Sequence, residues 1–252
     1  MKNKYIAVFD SGVGGISVLR ELVRQLPGED FLYFGDSANA PYGTRTTEQV
    51  RQLTLAAADQ LVERGIKALV VACNTATAAA IGQLRARYPQ IPVIGIEPAL
   101  KPAAEQFPAG HIGIMATQVT LREEKLAHQM ERFPAATLER IYVPGLVELV
   151  EQGKGNSPEA EAVLRPVLEQ YKGKLDALVL GCTHYPFAAQ SIQAVLGPDT
   201  VLLDGGEGTA RQTRRCLAEA GLLKDGTAGS VIMENSLGSR EILQISMMLL
   251  ED

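Results

Sequence analysis

Short apolar runs, many of them β-branched, recur along the chain between longer stretches in which apolar residues return every three or four positions. That alternation predicts βα units built around parallel sheets, an α/β fold. The runs predict strands at 5–9, 31–35, 67–72, 92–96, 111–115, 138–143, 175–180, 200–203 and 229–233, with helices in most of the gaps. Over 46–64, Val50, Leu53, Leu55, Ala58 and Leu61 mark one face of a helix, with Thr46 or Thr47 to cap it. Two further helices, 209–221 and 239–250, form a tail able to return onto the first half.

Two of the strand runs carry the same message. Lys67-Ala-Leu-Val-Val-Ala-Cys73-Asn74-Thr75 and Asp176-Ala-Leu-Val-Leu-Gly-Cys182-Thr183-His184 stand 109 positions apart, and each delivers a cysteine at the end of a buried strand. Ile6-Ala-Val-Phe-Asp10-Ser11 aligns with Ile112-Gly-Ile-Met-Ala116-Thr117 at an offset of 106. Nearly equal offsets in the same order predict two related half-domains. Pro92, Pro98 and Pro102 place the crossing near 97, so 1–97 with 208–252 form the first domain and 98–207 the second.

Composition narrows the function. The 252 residues are 46% hydrophobic and 21% charged, with a formal charge of −5. That is the profile of a globular enzyme-sized chain, without the basic stripe and interleaved aromatics of a nucleic-acid binder. The apolar stretch after Met1 is shorter than a secretory core, and no run approaches the roughly 20 residues of a membrane span, so the expected location is the cytoplasm. Cys73, Cys182 and Cys216 are then free thiols rather than a disulfide framework.

The polar residues with chemical potential fall after strands, where ligands of open parallel sheets bind. Asp10-Ser11-Gly12-Val13-Gly14-Gly15, Asp36-Ser37, Pro41-Tyr42-Gly43, Cys73-Asn74-Thr75, Thr117 with Thr120, and Cys182-Thr183-His184 offer hydroxyls, amides and backbone N–H groups suited to a small carboxylate or phosphate. The glycine run matches neither dinucleotide nor P-loop spacing, and Gly14 and Gly15 read as a tight turn packing the first helix on its sheet. A thiol ahead of a helix amino terminus is expected to have a lowered pKa, and finding that frame twice favours reactivity over inert burial. No zinc spacing completes around Cys182 and His184. His184 is the histidine expected to assist a thiol; His128 reads as solvated, His111 as structural and Cys216 as packing. Glu148 and Glu151 cannot be separated by pattern.

Taken together, Asp10-Ser11-Gly12-Val13-Gly14-Gly15, Gly35-Asp36-Ser37, Pro41-Tyr42-Gly43, Ala72-Cys73-Asn74-Thr75-Ala76 and Gly181-Cys182-Thr183-His184-Tyr185-Pro186 resemble the signature set of the cofactor-independent amino-acid racemases, the glutamate racemases in particular. The resemblance spans 10–186. It implies two pseudo-symmetric, flavodoxin-like α/β domains with parallel sheets and glutamate in the cleft between them, no cofactor and no metal, and a homodimer that supplies D-glutamate for peptidoglycan. It implies Cys73 as the base toward D-glutamate and Cys182 toward L-glutamate, with Asp10 and His184 assisting the respective thiols and Glu151 supporting His184. It implies Asp10, Ser11, Pro41, Tyr42, Gly43, Asn74, Thr75, Thr117, Thr183 and His184 as the substrate's contacts. Two other readings stand beside it: a sister racemase acting on aspartate, or a decarboxylase or isomerase on the same scaffold, and a non-catalytic, flavodoxin-like module binding a small anion at the sheet edge.

Overall fold

The structure is a computed structural model and describes residues 5–251. The chain first lays down β1 (Tyr5–Asp10), α1 (Ile16–Gln25), β2 (Asp30–Gly35), α2 (Thr47–Glu63), β3 (Ala68–Val71), α3 (Asn74–Arg87) and β4 (Val93–Gly95). A second series follows: α4 (Leu100–Gln106), β5 (His111–Ala116), α5 (Gln118–Arg122), α6 (Glu124–Glu131), β6 (Thr137–Ile141), α7 (Leu146–Glu151), α8 (Pro158–Leu168), β7 (Ala177–Gly181), α9 (Ala189–Leu196) and β8 (Val201–Asp204). The tail is α10 (Gly206–Glu219), β9 (Val231–Asn235) and α11 (Arg240–Glu251). All nine expected strands form, each within two residues of its expected ends.

Two all-parallel sheets result, in the orders β4-β3-β1-β2-β9 and β6-β5-β7-β8. Read from the opposite edge, the second sheet repeats the first four strands: β5 stands for β1, β6 for β2, β7 for β3 and β8 for β4. The repeat seen in the sequence is therefore a repeat of topology, and Cys73 and Cys182 follow equivalent strands.

Strands covered on both faces read as unbroken apolar runs, which is why β1, β2, β3, β5 and β7 stand out in the sequence. Within β1 the faces alternate: Ile6 and Val8 join one buried cluster, Ala7 and Phe9 another. The first of these clusters continues into the second unit through Met115, Ile141, Leu178 and Leu180, so apolar packing runs between the two sheets. Thr46, not Thr47, caps α2, exchanging hydrogen bonds with Gln49 in a capping box.

The tail returns to the first unit. β9 pairs with β2, and α10 and α11 pack on α1. A buried ion pair fastens it: Lys67 Nζ donates to Glu29 Oε2 at 2.5 Å and to the Leu222 carbonyl at 2.8 Å, while Glu29 Oε1 accepts from Lys224 N at 2.8 Å. The two crossings between units lie side by side, since a Cβ built on Gly205 would stand 2.3 Å from the Glu97 carbonyl oxygen. Among the described residues no helix is long and apolar enough to cross a membrane.

Candidate active site

The carboxyl ends of β1, β3, β5 and β7 face one another across a cleft. Ser11, Pro41, Tyr42, Gly43, Cys73, Asn74, Thr75, Thr117, Cys182, Thr183 and His184 all line it. These wall residues come from both units. Asp10 and Glu151 stand behind that wall rather than in it.

Cys73 is the N-cap of α3, and its sulfur accepts from Ala76 N at 3.4 Å and lies 3.6 Å from Ser11 Oγ. The helix terminus does act on the thiol, but it does not prevail. Burial, reinforced by the negative field of Asp10, pushes the Cys73 thiol up to about 12, against the lowering bonds from Ala76 and Ser11. The expectation of a lowered pKa is thus reversed at this position, because the sulfur is deeply desolvated. Nor do the two frames match beyond the strand: Cys182 is followed by a short 3₁₀ turn, Tyr185–Ala188, and only then by α9.

Cys182 has a different companion. His184 Nδ1 lies 3.6 Å from its sulfur, and His184 Nε2 meets Glu151 Oε1 at 2.5 Å. Burial would lower the imidazole pKa, yet the bonds to Cys182 and Glu151 outweigh it and hold the ring well above the ordinary histidine range. Burial likewise acts to raise Glu151, and the bonds from His184 and from Val13 N, at 2.9 Å, overcome it and leave that carboxyl below its usual range. The site can therefore keep an imidazolium beside one thiol and an uncharged sulfhydryl at the other.

Several contacts join the units here. Val13 N–H reaches Glu151, Thr183 Oγ1 donates to Asp10 Oδ2 at 2.9 Å, and Thr75 Oγ1 meets Thr117 Oγ1 at 3.0 Å. Ser17 Oγ lies 2.9 Å from the carbonyl oxygens of both Gly14 and Thr183. Asp10 also accepts from Gly12 N at 2.9 Å, and burial raises its carboxyl pKa despite His184 nearby. Its hydrogen bonds go to Gly12 and Thr183; the hydroxyl beside Cys73 is that of Ser11.

The glycine loop has a use that a tight turn alone does not explain. A Cβ on Gly14 would stand 2.3 Å from His184 Nδ1, and one on Gly12 would stand 1.8 Å from Glu151 Oε1. Both positions are kept bare so that the second unit's side chains can dock. Gly15 fits the packing expectation, with a Cβ there meeting Asp10 Cβ at 2.5 Å and Ala72 Cβ at 3.1 Å.

Asn74 is 4% exposed, and neither its amide nitrogen nor its amide oxygen has a hydrogen-bond partner. A buried amide left in that condition at a cleft wall is suited to a polar ligand. Asp36 accepts from Tyr42 OH at 2.7 Å and from Asn39 Nδ2 at 3.1 and 3.0 Å, tying down the loop that contributes Pro41, Tyr42 and Gly43. Sequence reasoning passed over Thr44, Tyr142, Val143, Gly145, Val147, Glu148 and Tyr185 as lining residues, and no periodic signal marks them. It also left Glu148 and Glu151 unseparated. Glu151 bonds His184, whereas Glu148 is exposed at the cleft wall. Of the others, His111 Nε2 meets Glu139 at 2.7 Å, His128 is exposed, and Cys216 is half-buried in α10. No group of three or more His, Cys, Asp or Glu among the described residues could hold a metal ion.

Residues 6–213 match the family model described as Asp/Glu/Hydantoin racemase. Among relatives, the glutamate racemase of Clostridium acetobutylicum is 48% identical over 254 residues, covering 100% of this chain and 99% of that protein. The crystal structure of glutamate racemase from Thermus thermophilus in complex with β-chloro-D-alanine is 38% identical, with a TM-score of 0.80 and coverage of 100% and 95%. That from Francisella tularensis in complex with D-glutamate superposes with a TM-score of 0.85 at 28% identity, again covering 100% and 95%. The chain belongs to the Asp/Glu/hydantoin racemase family and is an isomerase.

Proposed function

We propose that the chain interconverts L- and D-glutamate by a two-thiol proton transfer that needs no cofactor, and that the D-glutamate made serves peptidoglycan synthesis. The observation that carries this reading is the pair Cys73 and Cys182, set at equivalent strand ends on one cleft in unlike electrostatic surroundings. Racemisation at one carbon needs a base on one face and an acid on the other. Here the imidazolium of His184, anchored by Glu151, stands beside Cys182, while burial keeps the proton on Cys73.

In the L-to-D direction, Cys182 takes the α-proton and Cys73 gives its own to the opposite face. The thiols then end with exchanged protonation, and the D-to-L direction runs the same path backward. The α-carbon is a weak acid, so the developing negative charge needs fixed donors in a dry site. Asn74, Thr75 and Thr183, with the Pro41–Gly43 loop, supply hydroxyls and amides for the amino and carboxylate groups. Closure about the adjacent crossings near 97 and 207 excludes water around them.

The test follows optical rotation and α-deuterium uptake from heavy water with pure L- and D-glutamate, for wild type, Cys73→Ala and Cys182→Ala. Wild type is expected to racemise both enantiomers and take up α-deuterium without added cofactor, and each single variant to lose racemisation. Either variant racemising at the wild-type rate refutes the two-thiol mechanism, and a wild type that exchanges no α-proton refutes the enzyme reading.

A further inference from the structure

Tyr33 lies on β2, away from the cleft wall, and is 1% exposed. Its ring belongs to the core, where a phenylalanine would pack equally well. Its hydroxyl, however, donates to the Gly12 carbonyl at 2.6 Å. That carbonyl and the N–H of Val13 are the two ends of one planar peptide group. The N–H end donates to Glu151 Oε1 at 2.9 Å, and the same oxygen meets His184 Nε2 at 2.5 Å. His184 Nδ1 in turn stands 3.6 Å from Cys182 Sγ.

One unbroken run of hydrogen bonds therefore joins a tyrosine of the first unit to a thiol of the second. A donor at a peptide oxygen draws electron density toward it and makes the N–H a stronger donor, an effect of about 10–30% per bond in a chain. The surroundings keep Tyr33 a donor: burial, with the charges of Asp10 and Glu151, holds its phenol well above the ordinary tyrosine range, and only the Gly15 N–H works the other way. Space is also reserved along the run. A Cβ on Gly35 would meet the Gly12 oxygen at 2.6 Å, and a Cβ on Gly12 would meet Glu151 itself.

We infer that Tyr33 is a positioning residue for the Cys182 side of the reaction, fixing Glu151 and thereby His184 through the Gly12–Val13 peptide. The inference rests on the two-thiol reading in which Glu151 supports His184. Tyr33 touches neither substrate nor thiol; it sets the strength and direction of the bond that Glu151 receives across the units.

Tyr33→Phe keeps the ring and leaves the Gly12 carbonyl without its donor. Loss of one such bond is expected to lower kcat/KM roughly three- to tenfold. The Val13 amide proton should move upfield in the NMR spectrum, while Tyr33→3-fluorotyrosine, a stronger donor of nearly the same shape, should move it downfield. In a Glu151→Gln background, Tyr33→Phe should cost nothing further. Additive losses, or a Val13 resonance indifferent to both substitutions, overturn the inference. A Glu151→Gln variant that is impaired beside a fully active Tyr33→Phe overturns the inference alone. A fully active Glu151→Gln overturns it together with the role given to Glu151.

Discussion

Gly14→Ala puts one methyl group where the geometry leaves no room for it. The new Cβ would stand 2.3 Å from His184 Nδ1, 2.6 Å from Cε1 and 2.7 Å from Cγ. The imidazole must retreat by about 1 Å to reach ordinary contact, and it is pinned: 3% exposed, with Glu151 at 2.5 Å on its far nitrogen. A misplacement of about 1 Å in a reacting constellation costs on the order of 10²-fold in rate. Because L- and D-glutamate are mirror images, their equilibrium constant in water is unity, and kcat/KM must fall by the same factor in both directions. Initial rates followed by circular dichroism from each enantiomer measure it. Gly82→Ala is the control: it lies on the exposed face of α3, where a Cβ meets nothing within 4 Å. That change should leave the rate alone and stabilise the fold by about 0.5–1 kcal/mol. A folded Gly14→Ala enzyme within threefold of the wild-type rate would refute the docking argument.

The His184 pair links stability to pH. Its folded pKa lies above the ordinary 6.5, so its contribution is complete below that value and is lost as pH rises through the raised one. Glu151, lowered from 4.5, contributes above that value and loses its share as pH falls through the folded one. The Tm difference between wild type and His184→Gln should therefore be widest near pH 5–6.5 and shrink in alkali; a gap that stays constant with pH contradicts the assignment. Lys67→Met strands the fully buried Glu29 carboxylate, and urea titration should show a loss of about 3–5 kcal/mol. A loss below about 1 kcal/mol would mean that the ion pair does not fasten the tail.

Much of this arrangement could be read before any coordinates. The strands β1, β2, β3, β5 and β7 showed because each is buried on both faces, and the cysteines because duplication placed them in equivalent frames. What stayed hidden depends on contacts between the units. Glu148 and Glu151 are three residues apart on α7, and only the approach of Val13 and His184 separates them. Tyr33 looks like any strand aromatic until its hydroxyl is found on Gly12. The direction of the Cys73 shift turned on depth of burial, which a strand-end motif does not encode.

The side-by-side crossings at Glu97 and Gly205 have a chemical consequence beyond motion. Parting the units about these crossings would withdraw Val13 from Glu151, Asp10 from Thr183 and Thr75 from Thr117 in one movement. Glu151 would then lose the Val13 N–H that helps to order it, and with it the anchor of the His184 ring that lies 3.6 Å from the Cys182 sulfur. The ordered surroundings of Cys182 are therefore a property of the two units together, and neither unit alone holds them.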